Sequence, residues 1–150
     1  MANYLVAIER LIPEWKKENP AVSKVSVGWH LDHSLKVVIG VCKQLERANP
    51  KDYRPKFSFL GAAIMTIGKI PRGKGRAPKA SRTTDEITQE TLSRQLEKAH
   101  EELLKFDNFH SNAFFEHPYF GHMNTKKAKK FLKIHTVHHL AIVNDILSKE

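Results

Sequence analysis

An all-α fold, a four-helix bundle with one additional short helix, is what this sequence predicts, and three observations predict it. Apolar residues recur at spacings of three and four in every apolar segment; helix caps and breakers fall between those segments; and no stretch shows the strong alternation of a half-buried strand. Each amphipathic stripe needs facing stripes to bury it, which makes a bundle the natural architecture. The chain of 150 residues is the size of one domain, 1–150, and can bury roughly 70% of the surface its unfolded form exposes.

Leu5, Ile8, Ile12 and Trp15 make the first stripe. Pro13 must bend or divide that helix, because it lacks an amide hydrogen and crowds the preceding turn. The stretch ENPAVSKVS reads as a linker, and Ser26 as the N-cap of a second helix with Val27, Leu31, Val38, Val41, Cys42 and Leu45 on its buried arc. Asn49 and Pro50 end it. Phe57, Leu60, Ile64 and Ile67 support a short third helix closed near Gly68. After a basic loop, Thr84 or Asp85 can cap a helix whose seam is Leu92, Leu96, Ala99, Leu103 and Phe106. An aromatic, histidine-rich link, FHSNAFFEHPYFGHMN, follows. Asn124 or Thr125 then caps the last helix, which runs to about Ser148.

Composition narrows the class of protein. With 41% hydrophobic and 27% charged residues and a mean hydropathy of -0.45, the chain reads as a soluble globular protein rather than a disordered or membrane one. Glu9 and Arg10 interrupt the N-terminal apolar patch, so a secretory signal is not expected and a cytoplasmic location is, with no membrane partner. The single cysteine, Cys42, excludes an intrachain disulfide and a CxxC zinc site; its place on the apolar arc suits a small buried hydrophobe.

The net charge is +9, and the acid-free loop 69–82 supplies six of those charges through Lys69, Arg72, Lys74, Arg76, Lys79 and Arg82. Its GKIPRGKG has the spacing of a phosphate loop, but Gly75 stands where magnesium ligation wants Ser or Thr, and no buried strand precedes it. The loop therefore reads as a solvated segment able to attract an anionic substrate group. Lys126, Lys127, Lys129, Lys130 and Lys133 open the last helix at its positive dipole end, as a solvent face or an anion-binding surface. Nucleic-acid binding would account for the charge, yet there is no recognised reader motif and no obvious stacking aromatic inside the basic stretches.

The sharpest signal lies in KIHTVHHLAI. The last seam steps through Ala128, Leu132, His135, His139, Ile142 and Ile146, so two histidines occupy core positions one turn apart. Imidazoles at i and i+4 project from one helix face and can grip one divalent ion; a third from a facing helix would leave a coordination position open for chemistry. GWHLDH offers His30 and His33. They lie about 60° apart on the helix at 100° per residue, and periodicity slightly favours His30 without deciding. His138, one position off the seam, suits a supporting contact or the surface, and His117 the mouth of a pocket or simple loop packing. Asp32 is expected to face solvent, His100 and His110 the surface, and Trp29, Phe114, Phe115, Tyr119 and Phe120 to pack, some as pocket walls.

GWHLDHSLKVV, FFEHPYFGHMN and HTVHHL together resemble the DinB/YfiT-like superfamily of metal-binding helical bundles, in a branch with HPxFG and HxxHH wording and no assigned function. The resemblance spans nearly the whole chain through short motifs. It implies an up-down-down-up topology and a divalent metal held by His33, His135 and His139; zinc, nickel, iron and manganese can all accept such a three-histidine site. It further implies a metal-dependent enzyme acting on a small molecule, anionic or thiol-containing, by transfer onto low-molecular-weight thiols, isomerisation or hydrolysis, and a homodimer. A catalytically silent dimeric bundle is the contrasting expectation.

Overall fold

The computed structural model of the chain describes residues 1–73 and 86–148. Five helices and one short hairpin carry the fold: α1 (Ala2–Leu11), α2 (Val27–Arg47), α3 (Phe59–Ile67), α4 (Gln89–Leu104), β1 (Phe114–His117), β2 (Gly121–Asn124) and α5 (Thr125–Ser148). Pro13 divides the first stripe rather than bending it. α1 stops at Leu11 and the chain turns once through a 3₁₀ segment, Ile12–Glu14. Two carbonyls just beyond that turn then receive the start of α2: Gly28 N donates to Trp15 O at 2.8 Å and Val27 N to Lys17 O at 2.9 Å. The Ser26 side chain accepts from Trp29 N, so the first-turn amides of α2 have partners despite their burial. A Cβ at Gly28 would lie 2.9 Å from the Trp15 carbonyl oxygen, and only glycine permits so close an approach.

The starts of α3, α4 and α5 are also capped by side chains, while α1 begins behind Met1 without one. Ser58 accepts from Gly61 N, Thr88 and Thr91 form a reciprocal capping box on α4, and Asn124 Oδ1 accepts from Lys127 N at 3.1 Å. α2 is central, packed against α4 on one side and α5 on the other, while α1 touches both α4 and α5. The four long helices thus meet in a ring of contacts, with the hairpin against α2 and α5 and with α3 against α5. Leu5, Ile8, Leu31, Leu35, Leu45, Leu92, Leu132 and Ile146 are fully buried between them. Burying each such side chain stabilises the fold by about 1.5–3 kcal/mol. Among the described residues no helix is long and apolar enough to cross a membrane.

Four expectations change. The fold is mainly helical but not all-α: the histidine-rich link forms an antiparallel pair with Phe114 opposite Asn124 and His117 opposite Gly121. Gly121, at φ 68°, supplies the left-handed turn that lets strands of four residues meet. α4 begins at Gln89 behind the Thr88 cap, and Thr84 and Asp85 lie outside the described residues. α3 begins at Phe59, leaving Phe57 in its lead-in; only Gly61 and Ile64 of α3 are buried, whereas Phe57, Leu60 and Ile67 are exposed, because α3 meets the bundle along one narrow side. Asp32 is buried, not solvent-facing: α2 is covered on two sides, so its second arc is interior as well. There it accepts from Gln95 Nε2 at 2.7 Å and pairs with Lys36 at 3.0 Å.

Candidate metal centre

The arc of α2 that faces α5 carries Trp29, His30 and His33, and the facing seam of α5 carries His135 and His139. Each helix holds its rings one turn apart, so a single helix–helix contact brings four imidazoles into one buried cluster. One ring nitrogen from each of His33, His135 and His139 falls within 4.8 Å of the others. The Nε2 atoms of His33 and His135 are 3.2 Å apart. Two nitrogens each about 2.1 Å from one ion at a tetrahedral angle are separated by about 3.4 Å, so this spacing is close to that of two ligands sharing one ion.

Both candidates on α2 enter the cluster, in different ways. His33 meets His135 and lies edge-on to His139, with ring centroids 4.8 Å apart. His30 Nδ1 meets His139 Nδ1 at 2.9 Å, and its other nitrogen, Nε2, meets Ser23 Oγ at 2.9 Å. His30 therefore has both ring nitrogens engaged by neighbours, one of them His139. Trp29 forms a wall, stacked on His33 with centroids 5.0 Å apart and nearly parallel.

The electrostatics favour neutral imidazole. Burial, then the nearby His33, His138 and Arg72, bring His30 down to about 4. Burial holds His135 well below the ordinary histidine value, with His33, His138 and His117 adding to the effect, and lowers His139 in the same way, with His135, His33 and His30 adding to it. Neutral rings offer lone pairs, and no acid has to be removed before a cation can enter. Among the described residues, His135 Nδ1 and the adjacent Thr136 Oγ1 have no hydrogen-bond partner.

The other predicted residues stand around this centre. His138 is half-buried; its ring meets that of His139 at 5.1 Å and bonds to the Ile70 backbone, and burial followed by Arg72 lowers its pKa. His117 stacks flat on Phe120 at 4.0 Å, accepts from Tyr119 N, and is brought to about 4 by burial. It touches Phe131, which in turn packs on His135, so the hairpin reaches the centre only through an aromatic ring. His122 stacks on Phe114 and accepts from Arg54 N, while His100 and His110 are exposed. Cys42 is buried and its thiol is pushed up to about 12, chiefly by burial, which makes it inert. In the basic loop, Arg72 pairs with Asp145 at 2.6 Å, and Lys74, Arg76, Lys79 and Arg82 lie outside the described residues. Ser23, in the linker seven residues before His30, went unread in the sequence because only the folded turn carries it to the ring. No protein-family model, curated protein or solved structure matches the chain.

Proposed function

We propose that His33, His135 and His139 hold one divalent metal ion and that the protein is a metal-dependent enzyme acting on a small molecule, in the manner of the DinB/YfiT-like bundles its motifs resemble. The observation that carries this reading is the convergence of three ring nitrogens, from two helices, within 4.8 Å inside a buried site. The residues fit such an ion. Burial holds His135 and His139 neutral, so both rings offer lone pairs, and the Nε2 atoms of His33 and His135 face each other at 3.2 Å. Zinc, nickel, iron and manganese all accept such a donor set. The up-down-down-up order of helices, the thiol-dependent transfer or hydrolysis, and a homodimeric assembly belong to the same proposal and rest on the motif resemblance.

Each side chain then has a defined task. With Nδ1 of His139 committed to His30, Nε2 is the nitrogen left for ligation, and that requires Nδ1 to carry the proton and donate it to His30 Nδ1. His30 in consequence carries its own proton on Nε2, directed at Ser23 Oγ. The relay Ser23–His30–His139 selects one tautomer and holds the ring plane. Trp29 and Phe131 shield the rings from water on two sides. A divalent ion bound there supplies Lewis acidity, lowering the pKa of a substrate thiol or of water so that a nucleophile exists at neutral pH.

Elemental analysis of protein purified without added metal, beside the His135→Ala/His139→Ala double variant, tests the proposal. Stoichiometric metal in the wild type and almost none in the variant is the expected result. Equal, negligible metal in both, with neither taking up zinc on titration, would end it.

A further inference from the structure

A second feature lies on the opposite side of α5 from the histidines. Of the eight large apolar side chains exposed among the described residues, six (Phe57, Phe59, Leu60, Ile67, Tyr119 and Val137) lie on α3, its lead-in, the hairpin turn or the adjoining face of α5. Phe59 is 84% exposed, Phe57 75% and Ile67 69%, and the two phenyl rings pack edge-to-face on each other at 4.8 Å. α3, FLGAAIMTI, has no charged residue, yet only its Gly61–Ile64 side is buried, and Phe59, Leu60, Ala63 and Ile67 form an outward apolar arc about 100° wide. Helices apolar on all sides are ordinarily covered on all sides. The turn of the hairpin is fixed to this patch: Ser58 Oγ donates to Tyr119 O, and Phe120 packs against Gly61.

Beside the patch runs the lysine face of α5. Lys126, Lys129, Lys130 and Lys133, with Met65, Thr66, Gly68, Ile134 and Val137, line a groove of about 540 Å³ between α3 and α5. At 100° per residue the four lysines and Val137 fall within one arc of about 100°. Lys129 reaches Asp107 at 3.1 Å; Lys126, Lys130 and Lys133 form no ion pair with a described residue. A row of ammonium groups bordering exposed aromatic and aliphatic tips is the chemistry that meets an anionic bilayer, with the lysines at the headgroups and the rings at the acyl boundary. A second copy of the chain is a poor fit, because a two-fold contact through this patch would set one lysine row beside another on a protein already at +9.

We infer that the α3–α5 face is a docking surface for anionic phospholipid membranes, on which the protein sits peripherally with Phe57, Phe59 and Leu60 entering the interface. This differs from the absence of a membrane partner expected from composition, which registers spanning segments and not a surface assembled by folding.

Sedimentation of the full chain with vesicles of phosphatidylglycerol and phosphatidylcholine, against phosphatidylcholine alone, tests the inference. Binding to the anionic vesicles only, weakened by salt, is expected. Both Phe57→Ser/Phe59→Ser and Lys126→Gln/Lys130→Gln/Lys133→Gln should weaken it more than tenfold with helical content unchanged; all five side chains are exposed, so neither variant threatens the core. No binding to anionic vesicles at low salt would overturn the inference. So would binding that only the lysine variant weakens, which marks unspecific charge attraction. Capture of an acidic amphipathic peptide in place of vesicles would assign the face to a protein partner and overturn it as well.

Discussion

The two sides of α2 handle buried polar groups in opposite ways. Toward α4, Asp32 is met by Gln95 and Lys36, and Glu102, 2% exposed, sits between Lys98 at 3.5 Å and Lys105 at 3.3 Å. Each buried carboxylate has cationic or amide donors from neighbouring side chains, the arrangement that lets a buried charge be neutral in its effect on stability. Toward α5, four imidazoles meet mainly one another. On the first side each carboxylate is answered by neighbouring side chains, although Gln95 Oε1 has no hydrogen-bond partner among the described residues. On the second, three imidazole nitrogens converge within 4.8 Å of one another, and that difference separates a charge-matched polar seam from a candidate site.

Acid should break the contrast most severely. Burial holds the folded-state pKa of both His30 and His117 at about 4, against 6.5 for a free imidazole. Between those values the unfolded chain binds protons that the folded chain refuses. Their stabilisation is therefore complete above about pH 6.5 and is lost as pH falls toward 4. Denaturant midpoints followed from neutral pH downward should show that decline, and His117→Phe, which keeps the stack on Phe120, should flatten part of it. A pH-independent midpoint over this range would contradict the neutral cluster.

A smaller effect sharpens the division of labour among the histidines. His30→Ala should weaken zinc binding by about 10- to 100-fold, the usual loss when a ligand's hydrogen-bonded support is removed, without abolishing it as the loss of His135 and His139 should. Competition against a chelating dye measures it, and complete loss of binding would promote His30 to a ligand. The smallest change is expected across the helix. Asp32→Asn keeps an acceptor for Gln95 but removes the charge facing Lys36, and should reduce stability by about 1 kcal/mol with zinc affinity unchanged. An altered affinity would mean that the two sides of α2 communicate.

Much of this was legible in the sequence, and the gaps have physical causes. Caps at Ser26 and Asn124, the break at Pro13 and the buried arc of α2 are local matters of backbone donors and side-chain spacing, so they can be read residue by residue. Convergence of His33 with His135 and His139 required two helices to face each other, which the spacing suggested and the motif resemblance implied. Periodicity posed His30 and His33 as rivals because a wheel ranks angles; two adjacent turns of one helix can both reach the partner helix, as these do. Asp32 was misplaced for a related reason: a wheel assumes one buried side, and α2 has two. The hairpin was missed since strands of four residues, with partial burial on both, leave almost no alternating pattern to detect.

The contact at Gly28 gives the first seventeen residues a role beyond filling the core. Because the start of α2 is pinned against the Trp15 carbonyl, with no room for even a methyl group, that helix has a hard stop along its own axis. His30 and His33 follow within five residues of the stop. The height at which their rings meet α5 is thus gauged by a stretch of chain that contributes no ring to the cluster, much as a shim sets the clearance between two parts it never joins.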